Sequence, residues 1–410
     1  MRVCMLAYTF YENDNRVRRY AETLARRGDT VDAIALRRPG QDSFEVIRGV
    51  NVHRIQRRTK DEKHPLTYLF RLLLFSLRSF WMLSVGQLRR GYDVVHVHSI
   101  PDFLVFSALV PRLSGSVIIL DIHDIVPELY ASKFRVSQRS LLFYALLLVE
   151  RWSIGFSHHV IIANHLWCER IAGRSAPPLK CSTILNYPDL SIFTPSKYKA
   201  IVSGNDFVLC YPGTLSWHQG VDLILSAMAM LKDKLPQLKL IVFGDGPERD
   251  TLNAMIERLS LESRVSMSSG VAIEKIAQAM VNVQLGVEPK RKSTFGDEAL
   301  STKILEFMAM GVPVVASETT INRRYFSDVE VEYFRSEDVK DLADAIYRIA
   351  NDSKRRDALA THGKEFVRQN NWSVKMDEYL SLVDRLLQER GPVRIEPAHL
   401  APSHAIRNDR

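Results

Sequence analysis

"DEALSTKILEFMAMGVPVVAS", residues 297–317, sets two glutamates, Glu298 and Glu306, on either side of Ser301-Thr302-Lys303, just ahead of an apolar run. On one continuous helix the eight steps between them would cover about 12 Å and turn the side chains roughly 80° apart. One helix therefore does not aim both at a single small group. The spacing instead predicts a helix from Ser301 or Thr302 to Met310, with Gly311 as C-terminal cap and Pro313 preventing continuation. Glu298 then lies in the loop before the helix and Glu306 one turn inside it.

In that arrangement the free backbone N–H groups at Ser301–Lys303 point outward beside two hydroxyls and an ammonium. A helix N-terminus of this kind suits a phosphate or diphosphate. Glu306 is placed to accept two ribose hydroxyls and Glu298 to meet hydroxyls of a sugar, so one nucleotide-sugar would satisfy the stretch. An ordinary capped, solvated helix start fits the same residues.

Working outward, short Val/Ile-rich runs alternate with helix-length segments. The strand candidates are 3–7, 94–98, 117–122 and 160–163, then 207–211, 238–243, 265–268, 283–287 and 312–316. Little polar alternation within a run is the mark of parallel strands buried on both faces with helical crossovers. The series restarts after "NYPDLSIFTPSKYKAIVSGND" (186–206), read as a linker. The expected fold is α/β, with two doubly wound Rossmann-like domains, 1–199 and 200–373, facing a central cleft. A helix over 374–390 is expected to pack back on the first domain, and 391–410 reads as disordered.

With 410 residues, 46% hydrophobic and 25% charged, the chain has the composition of a soluble globular protein of two domains. The net charge of +8 is uneven. Residues 1–200 hold 28 Lys and Arg against 17 Asp and Glu, a balance of +11, and residues 201–410 hold 27 against 30, a balance of −3. The first half is thus expected to meet an anionic partner. Cys4, Cys168, Cys181 and Cys210 are scattered, with no CxxC, and read as reduced thiols. The N-terminus runs straight into a strand without a secretory layout, so a cytoplasmic protein is expected.

"EALSTKILE" with "FMAMGVPVVAS" resembles the E-x7-E signature of the family-4 glycosyltransferases, retaining enzymes of the GT-B fold. The resemblance extends over nearly the whole chain, through "YPGTLSWHQGVDLILSAM" (211–228), "LKLIVFGDGPERDTL" (238–252), "DVVHVHSIPD", "DIHDIVPELY" and "TILNYPDLSIFTP". "DNRVRRYAETLARRGDTVDAIAL" looks like the helix after the first strand. The resemblance implies that 1–199 is the acceptor-side domain and 200–373 the nucleotide-sugar domain. It implies that Glu306 binds ribose, Glu298 holds the transferred sugar, and Lys303 with the Ser301 and Thr302 backbone binds the diphosphate. Gly213 and Gly244 let their loops approach the donor, His123 faces the sugar across the cleft, and Gly270 and Val271 lie near the base. Asn15 and Arg16 fall on the acceptor side.

The sequence departs from that pattern in the loop after Gly213. The family places an Arg and then a Lys there; "TLSWHQG" places Thr214 and Gln219. His218, when protonated, or Lys290, Arg291 and Lys292 are the candidates to replace the missing charge. The N-terminal Gly-Gly loop of the family is also absent, with "TFYENDNRV" in its place. No Asp-x-Asp occurs, so no metal and no other cofactor is expected, and the diphosphate is left to the helix N-terminus and lysine. His96 and His98 are expected on opposite faces of their strand, which argues against a metal site from the pair. Glu150 in "LLLVERW" reads as a structural partner rather than a catalytic group.

Residues 54–93 join Arg54, Arg57, Arg58, Lys60 and Lys63 to an apolar helical run interrupted on one face by Arg71 and Arg78, with Phe70, Phe75, Phe80 and Trp81. Two arginines make it a poor bilayer span. It suits either a helix lying in the interface of an anionic membrane or one packed on the domain with a basic outer face. Nucleic acid is not an expected partner, because no recognised nucleic-acid module accompanies the basic residues. The expected function is transfer from a nucleoside-diphosphate sugar, UDP favoured, to a glycan or polyprenyl-diphosphate-linked acceptor at the cytoplasmic membrane face. A catalytically silent binding subunit of GT-B fold and a nucleotide-sugar epimerase are the alternatives.

Overall fold

The computed structural model describes residues 1–58, 65–134, 136–199 and 204–390. The first domain runs β1 (Arg2–Ala7), α1 (Asn15–Arg27), β2 (Thr30–Arg37), β3 (Phe44–Ile47), β4 (Val50–Arg57), α2 (Pro65–Arg90) and β5 (Val94–His98). It continues with α3 (Leu109–Leu113), β6 (Val117–Ile122), α4 (Val126–Phe134), α5 (Leu141–Phe156), β7 (His159–Ile162), α6 (His165–Arg174) and β8 (Cys181–Thr183). The second domain runs β9 (Phe207–Pro212), α7 (Val221–Met230), β10 (Leu238–Phe243), α8 (Arg249–Arg258), β11 (Val265–Ser268), α9 (Ile273–Met280) and β12 (Leu285–Glu288). Then come α10 (Thr302–Met310), β13 (Val314–Ser317), α11 (Thr320–Tyr325), β14 (Glu332–Phe334), α12 (Val339–Asn351), α13 (Ser353–Gln369) and α14 (Trp372–Arg390).

The first sheet has eight strands in the order β3-β4-β2-β1-β5-β6-β7-β8, and the second has six in the order β11-β10-β9-β12-β13-β14. Every pairing is parallel except the β3–β4 hairpin. Every residue of β5, β6 and β9 is buried, as central strands covered by helices on both faces must be. One face of the first sheet packs α2, the 3-10 turn Asp102–Ala108, α5 and α6. The other packs α1 and α14.

Helix α14 follows the whole second domain in sequence, yet it sits on the first. Trp372 Nε1 donates to Thr23 Oγ1 at 2.9 Å, and the Tyr379 hydroxyl lies 3.0 Å from His96 Nδ1. The chain therefore crosses between the domains twice.

Several readings need correction. Stretch 14–36 holds α1 and most of β2, not a helix alone. The strands β3, β4 and β8 carry no continuous buried run to stand out, whereas β2 is buried from Val31 to Leu36 and was hidden inside the stretch read as helix. β3 and β4 join through Arg48 and Gly49, both at positive φ (47° and 84°), the backbone of a tight hairpin turn. His96 and His98 lie on the same face, not opposite ones: residues two apart share a face, and their rings stack with centroids 4.3 Å apart. Lys60, Lys63 and the tail 391–410 lie outside the described residues.

Helix α2 is long and apolar enough to cross a membrane by composition, but one face of it belongs to the domain core. Leu72, Phe75 and Leu83 are buried, each contributing about 1.5–3 kcal/mol through burial. The Gln87 side chain accepts from the Tyr92 backbone N–H at 2.8 Å. Arg78 is exposed and reaches the Ile55 carbonyl at 3.3 Å, the Arg71 carbonyl accepts from Gln56, and Trp81 lies outward.

Candidate active site

The cleft lies at the C-terminal ends of both sets of strands. Helix α10 starts at Thr302, with Ser301 as N-cap, and stops at Gly311, whose φ of 72° is the left-handed cap. Ser301 makes no side-chain capping bond, and its buried Oγ has no hydrogen-bond partner among the described residues. The N-terminal donors of α10 are thus left for something in the cleft.

This helix start separates two cavities. One, of about 280 Å³, lies toward the first domain and is bounded by His123, Asp124, Asn164, Trp167, Lys290 and Ser301 among others. The other, of about 470 Å³, lies within the second domain against Gly213, Thr214, Gly244, Ile273, Ile276 and Glu306. Gln219, Thr302 and Lys303 line both. An elongated ligand can therefore lie with a charged middle on the helix start and one end in each cavity.

Lys303 is buried, and its ammonium donates to Gln219 Oε1 at 3.1 Å. Burial lowers it to about 8, with Glu288 pulling it back up and Lys290 pushing it down. Burial raises Glu306 to about 7, against the opposing pull of Lys303. Glu288 is buried with both carboxylate oxygens lacking a hydrogen bond among the described residues. It stands 3.7 Å from Lys290 and 3.9 Å from Lys303, a counter-charge shared by two lysines.

Of the candidates for the missing loop charge, Lys290 and His218 line the cavity. Arg291 is taken up by Asp222, Glu337 and the Trp217 carbonyl, and Lys292 is exposed 3.9 Å from Asp297. Gln219 receives Lys303 and the Tyr211 hydroxyl, the latter at 3.2 Å. The glycine loops press on one another: a Cβ at Gly244 would stand 1.8 Å from the Gly213 carbonyl oxygen. Gly270 has open space around it, and neither it nor Val271 lines either cavity.

Glu298 lies in the loop before α10, tied to the opposite domain. Arg170 Nε donates to its Oε2 at 3.1 Å and Arg170 Nη2 to its Oε1. The Glu298 carbonyl accepts from Asn164 Nδ2 at 3.0 Å.

His123 lines the first cavity, with Nε2 3.2 Å from Asp121 Oδ2 and 3.1 Å from His98 Nδ1. Burial alone would raise Asp121, but Arg16 and His123 hold it well below the usual carboxylate range. Arg16 does not reach the cleft from the acceptor side. It is buried, with Nε and Nη2 each 2.7 Å from Asp121 and Nη1 on the Ile184 carbonyl. Its role is to fix the carboxylate behind His123. Asn15 is half-buried at the start of α1. His96, His98 and Asp121 bring ligand atoms within 4.8 Å of one another, but the guanidinium already matches that carboxylate. Glu150 is buried on Arg174 and Ser175, a structural pairing.

Residues 14–186 match the glycosyl transferase 4-like domain, and residues 196–366 match glycosyl transferases group 1. The phosphatidylinositol N-acetylglucosaminyltransferase gpi3 subunit of Schizosaccharomyces pombe is 23% identical over 340 residues, 78% of this chain and 70% of that protein. The 2-deoxystreptamine N-acetyl-D-glucosaminyltransferase of Niallia circulans is 22% identical, over 69% of this chain and 73% of that protein. Among solved structures, sucrose-phosphate synthase from Thermosynechococcus elongatus shares the fold with a TM-score of 0.76 at 19% identity, covering 95% of this chain and all of that one. Anabaena HepE in complex with UDP and glucose gives a TM-score of 0.71 at 18% identity, covering 94% of this chain and all of that one.

Proposed function

From the premise that the chain belongs to the glycosyltransferases of group 1 and 4-like type, with GT-B architecture, we propose that it transfers a sugar from UDP with retention of configuration. The proposed acceptor is lipid-linked or a glycan at a membrane face. The observation that carries this is the α10 N-terminus with Lys303, standing between the two cavities. The nucleoside fits the cavity holding Glu306, the diphosphate fits the helix start, and the sugar projects toward His123 and Glu298.

Charge decides how the leaving group is held. Lys303, Lys290 and the unsatisfied N–H groups of α10 supply positive potential in a buried setting, where it acts more strongly than in water. The proposed transfer needs no metal. The bond from the anomeric carbon to the diphosphate breaks while the bond to the acceptor oxygen forms on the same face, and the acceptor proton passes to the leaving phosphate. No side chain has to serve as base. UDP is favoured as the donor nucleotide by the UDP complexes of HepE, and a lipid acceptor by the phosphatidylinositol relative.

Calorimetry with UDP, GDP and ADP, each in EDTA and in Mg²⁺, on wild type and Glu306→Ala tests the donor site. UDP binding in EDTA that the substitution weakens is the expected result. Absence of binding to wild type in both conditions would overturn the proposal, and an inverted product anomer by NMR would remove retention.

A further inference from the structure

The outward faces of three neighbouring elements repeat one pattern. On α2, Phe70, Leu73, Leu77 and Trp81 follow at intervals of three, four and four, each at least half exposed. On α5, Leu141, Tyr144, Leu148 and Trp152 repeat the same intervals, between 44% and 89% exposed. Between them Phe106, Leu109 and Leu113 keep the spacing on the 3-10 turn and α3. Such spacing places each set on one side of its helix. The 3-10 turn lies between α2 and α5 and packs against both, with α3 against α2, in the layer over a single face of the first sheet, so the stripes lie side by side on one outward layer. A contiguous surface of this size is rarely left bare in a soluble monomer.

Charge identifies what covers it. Helix α2 has no acidic residue. Asp102 and Glu150, the two acids of the 3-10 turn and α5, are buried. Arg78, Arg89, Arg90 and Arg151 are exposed. Leucine and aromatic stripes edged only by arginine match the interface of an anionic bilayer. A protein partner has no need of a face from which every outward acid is missing.

We infer that α2, α3 and α5 together form a docking face for anionic lipid bilayer, larger than the α2 segment that its basic and apolar sequence marks. Topology also orients it. Helix α2 leaves the C-terminal end of β4 and α5 leads into the start of β7, so both run from the cleft rim to the far side of the domain. Phe70 and Leu141 lie at the cleft ends of their stripes. A lipid-linked acceptor can keep its tail in the bilayer there while its polar head enters the cleft. That last step rests on the proposed function; the docking face does not.

The test is co-sedimentation of the full chain with vesicles of phosphatidylcholine alone or mixed with phosphatidylglycerol, with UDP calorimetry alongside. The variants are Leu148→Glu/Trp152→Glu, Leu77→Glu/Trp81→Glu and Arg78→Ala/Arg151→Ala, all at exposed positions. Wild type is expected to bind the anionic vesicles, and each pair to weaken binding roughly tenfold or more, with UDP affinity unchanged. Wild-type behaviour of the α5 pair overturns the inference, as does failure of wild type to bind vesicles. A wild-type dimer that the α5 pair converts to monomer, without vesicle binding, would assign the face to a second copy. Loss of UDP binding by wild type with vesicle binding intact would sink the donor site and leave the docking face standing.

Discussion

Arg170 of α6 holds Glu298 across the cleft, with Nε 3.1 Å from Oε2, so the first domain positions a carboxylate that belongs to the second. If Glu298 meets the sugar and not the nucleotide, Glu298→Gln should cut kcat by a hundredfold or so, on the order of 3 kcal/mol, and leave UDP affinity nearly unchanged. Arg170→Ala should cost about 1 kcal/mol or less in stability, as a partly exposed pair, while lowering kcat/KM about tenfold. Arg170→Lys should restore part of it. Steady-state kinetics beside UDP calorimetry checks both, and equal losses in UDP affinity and turnover would move Glu298 to the nucleotide.

UDP binding should follow a bell-shaped pH profile. Glu306, raised to about 7 by burial, must be ionised to accept ribose hydroxyls, so affinity falls as pH drops below that value. Lys303, lowered to about 8 by burial, must be charged to hold the diphosphate, so affinity falls as pH rises beyond it. Glu306→Gln should flatten the acid limb and spare the alkaline one. Calorimetry from about pH 6 to 9 reads both limbs.

Lys290 and Arg291 are neighbours with opposite expected effects. Lys290→Ala should weaken UDP and inorganic pyrophosphate by about 1.5–3 kcal/mol, the worth of a hydrogen bond to a charged group. Arg291→Ala should leave pyrophosphate affinity alone, since its guanidinium serves Asp222 and the Trp217 carbonyl. Competition binding decides, and parity between the two variants would dismiss Lys290 as a donor contact.

Gly244→Ala should separate the two glycine loops, because the new methyl group would overlap the Gly213 carbonyl. Overpacking of this kind costs about 1–3 kcal/mol. Both Tm and UDP affinity should fall. A normal Tm with normal affinity would show that the loops part freely.

Asp121→Ala should destabilise the first domain by about 3–5 kcal/mol, because it strands the buried Arg16 charge. In the wild type Asp121 is held far below its ordinary value. Its contribution is thus present above about pH 3.8 and lost only as pH falls through the much lower folded value. Urea unfolding at neutral pH reads the substitution.

The end of α10 was legible in the sequence because capping is local: Gly311 and Pro313 announce their roles within three residues of Met310. Central strands were legible for the same reason, as unbroken apolar runs. The hairpin was not, because Arg48 stands at a positive φ where Asn would have signalled the turn. Arg170 and Glu298 are 128 residues apart, and no periodicity links them. Asn164 gave a signal that could have been used: it follows a buried strand and caps a helix, accepting from Trp167 N–H, as residues at a cleft edge do. Glu288 falls one residue past the 283–287 run and carried no signal of its own. Its importance comes from two lysines that converge on it from a loop and a helix. The outward stripe of α5 looks in sequence like a core helix, and only packing shows which side is bare.

Helix α14 returns to the first domain after the second is complete, and this limits how the cleft can open. A body attached by one strand of chain can swivel about any line through the joint. Attached at two places, it keeps chiefly the rotation about the line through both, as a door does on two pins. Opening should therefore be a single swing that parts Arg170 from Glu298 and restores them to the same register on return. Each sugar would meet the same pair of jaws, without a search through orientations between turnovers.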